Sequence, residues 1–400
     1  MTTEQPIRVL HLLKGLDAGG AERLVLDLCA VAARPRVAAS VAGILAAHRA
    51  LVPAFEAEGV PVHELGARSD VDLAWTVALR RLLLAEAPDV LHLHLPYPAV
   101  LGRLVTRSLP GPRRPVVVHT RHNLWTATHP LLRAGERVTA HLDDASLVVA
   151  TSAWAALPRQ LRRNTEILPH GIRKARPGPD SGRDPDRAPA SDHGPAPDEP
   201  AARSAIRAEL GVADDETLVL SVANLRTEKG YDVLLPAAAT LVAEGLPVRF
   251  VAAGGGPLAG ALARERDELG LGDRFRFLGF RDDVPRLLRA ADVVVLASHH
   301  ESSPVAVMEA LAAGVPVVST RVGDVPDQVR EGVEGRLVPP GDAGALATAL
   351  RSLVLDPEAR RAMAVAAAGT GAQFDIEIAA RRLERLYTGL VAARRPTRSC

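Results

Sequence analysis

At 400 residues the chain exceeds what one ordinary hydrophobic core accommodates, so length alone predicts two domains. Hydrophobic residues make up 47% and charged ones 24%, and 48 Lys plus Arg offset 47 Asp plus Glu, which lacks the basic excess of a nucleic-acid binder. Two cysteines, Cys29 and Cys400, exclude a disulfide framework or a cysteine zinc site and fit a reducing, cytoplasmic compartment. No apolar run reaches the roughly 20 residues of a membrane span, and the polar start, Met1 to Ile7, does not read as a signal peptide.

In chain order, strand patterns fall at Ile7–Leu13, Val37–Ile44, Val60–Leu65, Asp89–Leu95, Val116–His122, Leu147–Thr151 and Glu166–Leu168. Helical patterns lie between several of them, as at Ala21–Ala33 and Leu73–Ala87. Buried strands alternating with helices predict βαβ units and a parallel sheet. From Arg173 to Arg203 the pattern gives way to a stretch rich in Pro, Asp, Gly and Ala, which reads as a flexible linker, and His170-Gly171 before it reads as a hinge. The same grammar then restarts. Strands are expected at Thr217–Ala223, Val248–Ala253, Phe275–Leu278, Val293–Leu296, Val315–Ser319 and Gly335–Val338, with helical patterns between them and a last one from Ile376 to about Arg394. The expected fold is α/β, two Rossmann-like domains with parallel sheets facing across a cleft. Residues 1–172 form the first, 173–203 the linker, 204–375 the second, and 376–400 a final helix.

Chemistry-bearing residues cluster after strands. Glu301 and Glu309 bracket Ser302-Ser-Pro304-Val305 behind the strand Val293–Leu296, with Ser302 or Ser303 suited to the cap and Pro304 to the first helical position. Up to about 12 Å apart at the helical rise, the two carboxylates cannot share one proton or one metal, but can touch two hydroxyl-bearing parts of an extended ligand. The bland alternative is a helix-dipole partner and a solvated carboxylate. Asn224-Leu-Arg226-Thr-Glu-Lys229-Gly follows another strand, and cations there can stabilise a departing diphosphate; a solvated basic turn is the alternative. Two glycine loops, one with Gly19 and Gly20, the other Gly254-Gly255-Gly256, precede helices and suit close approach to a phosphate or sugar, although neither is the dinucleotide fingerprint.

His119 and His122 close a strand of the first half. His92 and His94 share one face of Leu91-His-Leu-His-Leu95, His92 reading as structural and His94 as open. Asp70-Val-Asp72 reads as a helix cap rather than a metal motif, and His299-His300-Glu301 are too close in sequence to converge on one ion, so no metal is expected. Arginines from Arg103 to Arg163 read first as solvated side chains, with anionic lipid or a phosphorylated acceptor as the functional alternative.

The order of these signals carries more than each alone. Asn-Leu-Arg-Thr-Glu-Lys-Gly, Gly-Gly-Gly-Pro, Phe277-Leu-Gly-Phe280-Arg281-Asp-Asp, Glu301-x7-Glu309 and Ala313-Gly-Val-Pro-Val-Val resemble in series the family 4 retaining glycosyltransferases of GT-B fold. Gly-Gly-Ala-Glu at 19–22 and Thr-Arg-His-Asn at 120–123 extend the resemblance over nearly the whole chain. It implies transfer of a sugar from a nucleotide-diphosphate donor, UDP- or GDP-linked, to a hydroxyl of a glycan, lipid-linked glycan or small metabolite. It implies that Glu309 binds the ribose, Glu301 the donor sugar and Lys229 the pyrophosphate, and that the backbone near Phe280 and Arg281 reads the base. Gly19 and Gly20 approach the donor from the first domain, and His122 rather than His119 matches the family's cleft histidine. Asn224, Gly255, Ser303, Pro304 and Val305 complete the expected donor set. The family often places Arg where Asn224 stands, which leaves Asn224 or Arg226 for the second phosphate contact. It further implies that the final helix returns to the first domain. No cofactor and no nucleic-acid partner are expected, and membrane contact would be peripheral, at the inner face. The alternatives are a nucleotide-sugar epimerase and a non-catalytic or partner-dependent GT-B protein.

Overall fold

The computed structural model describes residues 5–17, 19–31, 36–122, 124–169, 171–173 and 199–394. Asn123, His170, Cys400 and most of the proline-rich stretch lie outside the described residues.

Short runs rich in Val, Leu and Ile form seven strands in the first part: β1 (Ile7–Leu13), β2 (Val37–Leu45), β3 (Val62–Ala67), β4 (Val90–His94), β5 (Val116–Arg121), β6 (Ala145–Val148) and β7 (Thr165–Ile167). They pair in the order β3-β2-β1-β4-β5-β6-β7, all parallel. Six more follow: β8 (Thr217–Val222), β9 (Val248–Ala253), β10 (Phe275–Gly279), β11 (Val293–Leu296), β12 (Val317–Thr320) and β13 (Gly335–Val338). Their order is β10-β9-β8-β11-β12-β13, again all parallel. Each sheet reverses its strand order beside its first strand, and such a switch point opens a crevice at the carboxyl ends of the strands.

The chain forms two compact units. One joins the residues up to Arg173 with Ser302–Val305 and the stretch from Gln373 onward; the other holds the rest. The helix Ile376–Arg394 belongs to the first unit because its apolar stripe completes that core. Ile376, Ala379, Leu383 and Tyr387 are buried with Val9 of β1, Val90 of β4, Val116 and Val118 of β5, and Leu24 and Leu28 of the helix Gly20–Val31. The backbone of Ile172 anchors its start, donating to Phe374 O at 2.7 Å and accepting from Ile376 N at 3.0 Å.

The elements differ from the sequence reading in places, for physical reasons. Residues 199–203, assigned to the linker, open the helix Glu199–Leu210, whose first turn tolerates Pro200. The expected strand Val315–Ser319 begins only at Val317, because Pro316 has no N–H to donate. Pro304 stands just ahead of the helix Val305–Ala312 rather than at its first position. Among the described residues no helix is long and apolar enough to cross a membrane.

Leu383→Ala removes a side chain that is 4% exposed, in the seam between the last helix and the first sheet. It should cost about 2–5 kcal/mol, read as a lower urea midpoint, and an unchanged midpoint would show that the helix does not hold this core.

Candidate active site

In the second unit the loops behind β8, β9 and β10 are stitched together by their backbones. Leu225 N donates to Gly255 O at 2.9 Å, and Gly254 N donates to Gly279 O at 2.8 Å. The outer glycines of the triplet serve this packing. A Cβ on Gly254 would stand 2.0 Å from Ala223 O, and one on Gly256 would stand 2.4 Å from Leu225 O. The middle one differs: a Cβ on Gly255 would meet nothing closer than 4.0 Å, at Phe280. Phe280 itself is 63% exposed at the end of β10. Gly255 and Phe280 thus border open space.

The turn Thr227–Lys229 is drawn against the end of β11 by Gly230, whose φ of +67° favours glycine and whose Cβ would stand 2.0 Å from Ala297 O. That close approach sets the geometry of the charges. Lys229 Nζ donates to Glu301 Oε1 at 2.6 Å, and Ser298 Oγ donates to the same oxygen at 2.8 Å. Asn224 and Arg226 are exposed on the same loop, and no ion pair holds Arg226 among the described residues. Glu309 sits half-buried on the second turn of the helix Val305–Ala312, and Ser303, Pro304 and Val305 lead into that helix. Arg281 is committed locally: its guanidinium donates to Asp283 at 2.6 Å and to Glu209 at 3.3 Å, and the hydrogen bonds to Asp283 raise its pKa. What it can offer a ligand is backbone.

In the first unit Gly20 opens the helix Gly20–Val31, with nothing within 4 Å of where its Cβ would be. Gly19 precedes it, and the atoms nearest to where its Cβ would be are those of the Glu22 carboxylate. His119 of β5 and His122 just past it separate cleanly. His119 is fully buried and its Nδ1 accepts from Arg103 Nη2 at 2.8 Å, inside a network in which Arg103 also binds Glu136 (2.6 Å) and Asp143 (2.7 Å) and Arg121 binds Glu136 (2.7 Å). Arg103 and Arg121 are therefore structural, not solvated as the sequence suggested. His122 turns to the opposite face, where its Nε2 lies 3.0 Å from His94 Nδ1.

The chain matches the family model described as "Glycosyltransferase Family 4" over residues 18–175 and "Glycosyl transferases group 1" over residues 202–369. It is 33% identical over 332 residues to the D-inositol 3-phosphate glycosyltransferase of Saccharomonospora viridis, covering 77% of this chain and 72% of that one. This protein belongs to the family 4 glycosyltransferases. The corresponding Streptomyces coelicolor protein is 28% identical over 98% of this chain and 88% of its own, whereas a Mycobacterium sp. strain KMS relative, 40% identical, aligns over only 43% of this chain and 40% of its own. In fold, the chain resembles Anabaena HepE in complex with UDP and glucose (TM-score 0.76, 21% identity, 96% of this chain and 99% of that one). It also resembles the sucrose-phosphate synthase of Thermosynechococcus elongatus (TM-score 0.77, 21% identity, 96% and 99%). The glycosyltransferase moves a sugar from a nucleotide sugar to an acceptor, which sets aside the epimerase alternative.

Two motifs of the glycosyltransferase are local structure. Asp72 accepts from Arg68 N and Ala74 N, tying the turn ahead of the helix Ala74–Glu86, and His299 Nε2 meets Asp232 at 3.0 Å. Among the described residues, one group has metal-ligand spacing, and sequence reading missed it: ring nitrogens of His11, His92 and His94 lie within 4.8 Å of one another. His11 comes from β1, too far along the chain for its spacing to carry a signal. The nitrogens of His94 are taken by His11 (3.0 Å) and His122, and those of His92 by Tyr387 (2.6 Å) and Thr120 (2.7 Å). Burial holds His11 at a pKa of about 4 and His92 and His94 well below the usual imidazole range, so these three rings are neutral near pH 7.

The glycine triplet makes a sharp comparison. Gly254→Ala should lower the melting temperature by several degrees, since its Cβ would collide with backbone, while Gly255→Ala should leave it near wild type. Equal melting temperatures would mean that the loops are not stitched this way.

Proposed function

We propose that the glycosyltransferase takes a nucleoside diphosphate sugar, its base uridine or guanine, and passes the sugar with retention at the anomeric carbon. The observation that carries the site assignment is the Lys229–Glu301 pair, 2.6 Å apart on loops that open at one edge of a parallel sheet. Lys229, with Arg226 or Asn224 as second partner, holds the diphosphate. Glu301 exchanges its lysine partner for the donor sugar, and Glu309 takes the ribose hydroxyls. Backbone near Gly255, Phe280 and Arg281 meets the nucleotide, and Ser303, Pro304 and Val305 complete the donor contacts. Gly19, Gly20 and His122 are the candidate residues of the first unit.

The acceptor oxygen attacks the anomeric carbon as the bond from that carbon to the phosphate oxygen breaks. The nucleoside diphosphate departs with the electron pair, and the acceptor proton passes to a leaving phosphate oxygen. Cations held where this charge develops stabilise the transition state. The step as written needs no metal. The relatives' names favour a small phosphorylated polyol of the inositol phosphate class over a glycan or a lipid-linked glycan, and assaying the three acceptor classes side by side decides.

Thermal unfolding with UDP, GDP, ADP and TDP tests the donor reading. One nucleotide should raise the melting temperature, by about 2.7 kcal/mol of stabilisation at a hundredfold excess over Kd. The shift should resist a chelator and vanish in Glu309→Ala. Lys229→Ala should lose about 10²–10³-fold in kcat/KM while unfolding near the wild-type temperature, because Ser298 still holds Glu301. Full turnover in that variant, or no stabilisation by any nucleotide, would sink the assignment.

We further propose a cytoplasmic location with peripheral contact at an anionic membrane face. Leu131 (76% exposed) and Val138 (70% exposed) share a helix with Arg133 and Arg137, apolar and basic side by side. Sedimentation with anionic vesicles should carry the protein down and should weaken in Leu131→Asp; no pelleting would overturn this location.

A further inference from the structure

The strand β11 ends at Leu296, and the two residues after it, Ala297 and Ser298, are buried. A hydroxyl gains nothing from burial unless it is hydrogen-bonded, so what Ser298 bonds to matters. Its backbone is pinned from the neighbouring strand, where Thr320 Oγ1 of β12 donates to Ser298 O at 2.6 Å. One residue on, His299 N donates to Glu228 O at 2.9 Å and ties the loop to the turn Thr227–Lys229. Neither bond uses the Ser298 hydroxyl. That hydroxyl goes to Glu301.

Both donors to Glu301 fall on one oxygen. Oε1 accepts from Lys229 Nζ at 2.6 Å and from Ser298 Oγ at 2.8 Å, and among the described residues Oε2 accepts none. The two donors differ in how easily they are drawn off. Lys229 is a point charge on a flexible, partly exposed stem, and an arriving diphosphate competes for it. Ser298 is fully buried on a pinned main chain, and its uncharged hydroxyl offers a diphosphate far less.

We propose that Ser298 is the positioning residue of Glu301, keeping the carboxylate in place when Lys229 turns to the diphosphate, so that Oε2 meets a hydroxyl of the donor sugar already oriented. This rests on the assignment of Lys229 and Glu301 to the donor. Lys229 is then the exchangeable partner of Glu301, and Ser298 the permanent one.

Crystal structures test the placement without any donor. Lys229→Ala removes the lysine as donor binding would, and there Glu301 should keep its rotamer, with Oε1 still on Ser298. In Lys229→Ala/Ser298→Ala the carboxylate should turn away. A carboxylate that swings in the single variant, or holds still in the double one, overturns the proposal. Kinetics test the consequence. Ser298→Ala deletes one hydroxyl and leaves both backbone bonds. With the best donor among UDP- and GDP-linked sugars, its kcat/KM should fall about ten- to a hundredfold, as for loss of a hydrogen bond to a charged group. The thermal shift given by UDP or GDP alone should be unchanged, because neither carries a sugar for Glu301 to meet. Adding Ser298→Ala to Glu301→Ala should cost nothing more, since the hydroxyl then has no carboxylate to place. Unchanged kcat/KM in Ser298→Ala, a nucleotide shift that weakens along with it, or additive losses in the double variant also overturn the proposal. Should Ser298→Ala not fold, the Lys229→Ala structure still decides. Full turnover in Glu301→Ala would instead remove the functional reading and leave the Ser298 contact standing.

Discussion

Every strand of each sheet runs in the same direction, so every strand's carboxyl end opens on one edge. Parallel strands need a crossover after each one, and the loops that begin those crossovers all gather there. In the second unit this brings residues from four separate stretches of sequence, around 226, 255, 280 and 301, to a common edge. Close packing then does the fine placement. Gly230, Gly254 and Gly256 bring backbone against backbone where any side chain would collide, and the lysine–glutamate pair stands where those approaches put it.

Strand alternation divides the first sheet into two chemically different faces. On β5, His119 and Arg121 point to one side, into a buried set of guanidinium and carboxylate groups with Arg103, Glu136 and Asp143. Thr120 and His122 point to the other, among neutral imidazoles. Charged groups buried this deeply persist because each is paired and hydrogen-bonded. The imidazoles avoid that requirement by giving up their charge, and they satisfy their nitrogens with one another and with the hydroxyls of Tyr387 and Thr120.

Much of this was legible in the sequence. The strands β1, β9, β11 and β13 and the last helix fall on the residues that periodicity predicts, because buried runs of Val, Leu and Ile bounded by polar turns leave little choice. The helices Pro96–Arg107 and Pro130–Thr139 escaped notice because each begins with a proline, which marks a turn as readily as a first helical residue. The Lys229, Glu301 and Glu309 set was visible as motif, but the direct bond between Lys229 and Glu301 was not, since 72 residues separate them and only the sheet joins them. Arg103 and Arg121 looked like surface cations because their partners, Glu136 and Asp143, lie on other elements. His11 carried no signal, being one residue in an apolar strand whose neighbour is set by strand order.

The first unit is built from stretches of chain on both sides of the second. Its strands lie within the first 173 residues, yet the helix that covers Val9, Val90, Val116 and Val118 begins at Ile376. On the ribosome, roughly 200 residues of the second unit must be made in between, which takes about 10–40 s at about 5–20 residues per second. Through that interval one apolar face of the newborn sheet lacks its cover, while the second unit, contiguous apart from a few residues, can fold as it emerges. The order of synthesis thus runs opposite to the order of completion. The first of the two domains to appear is the last to close, and its final seam is made by residues translated after the whole of the second.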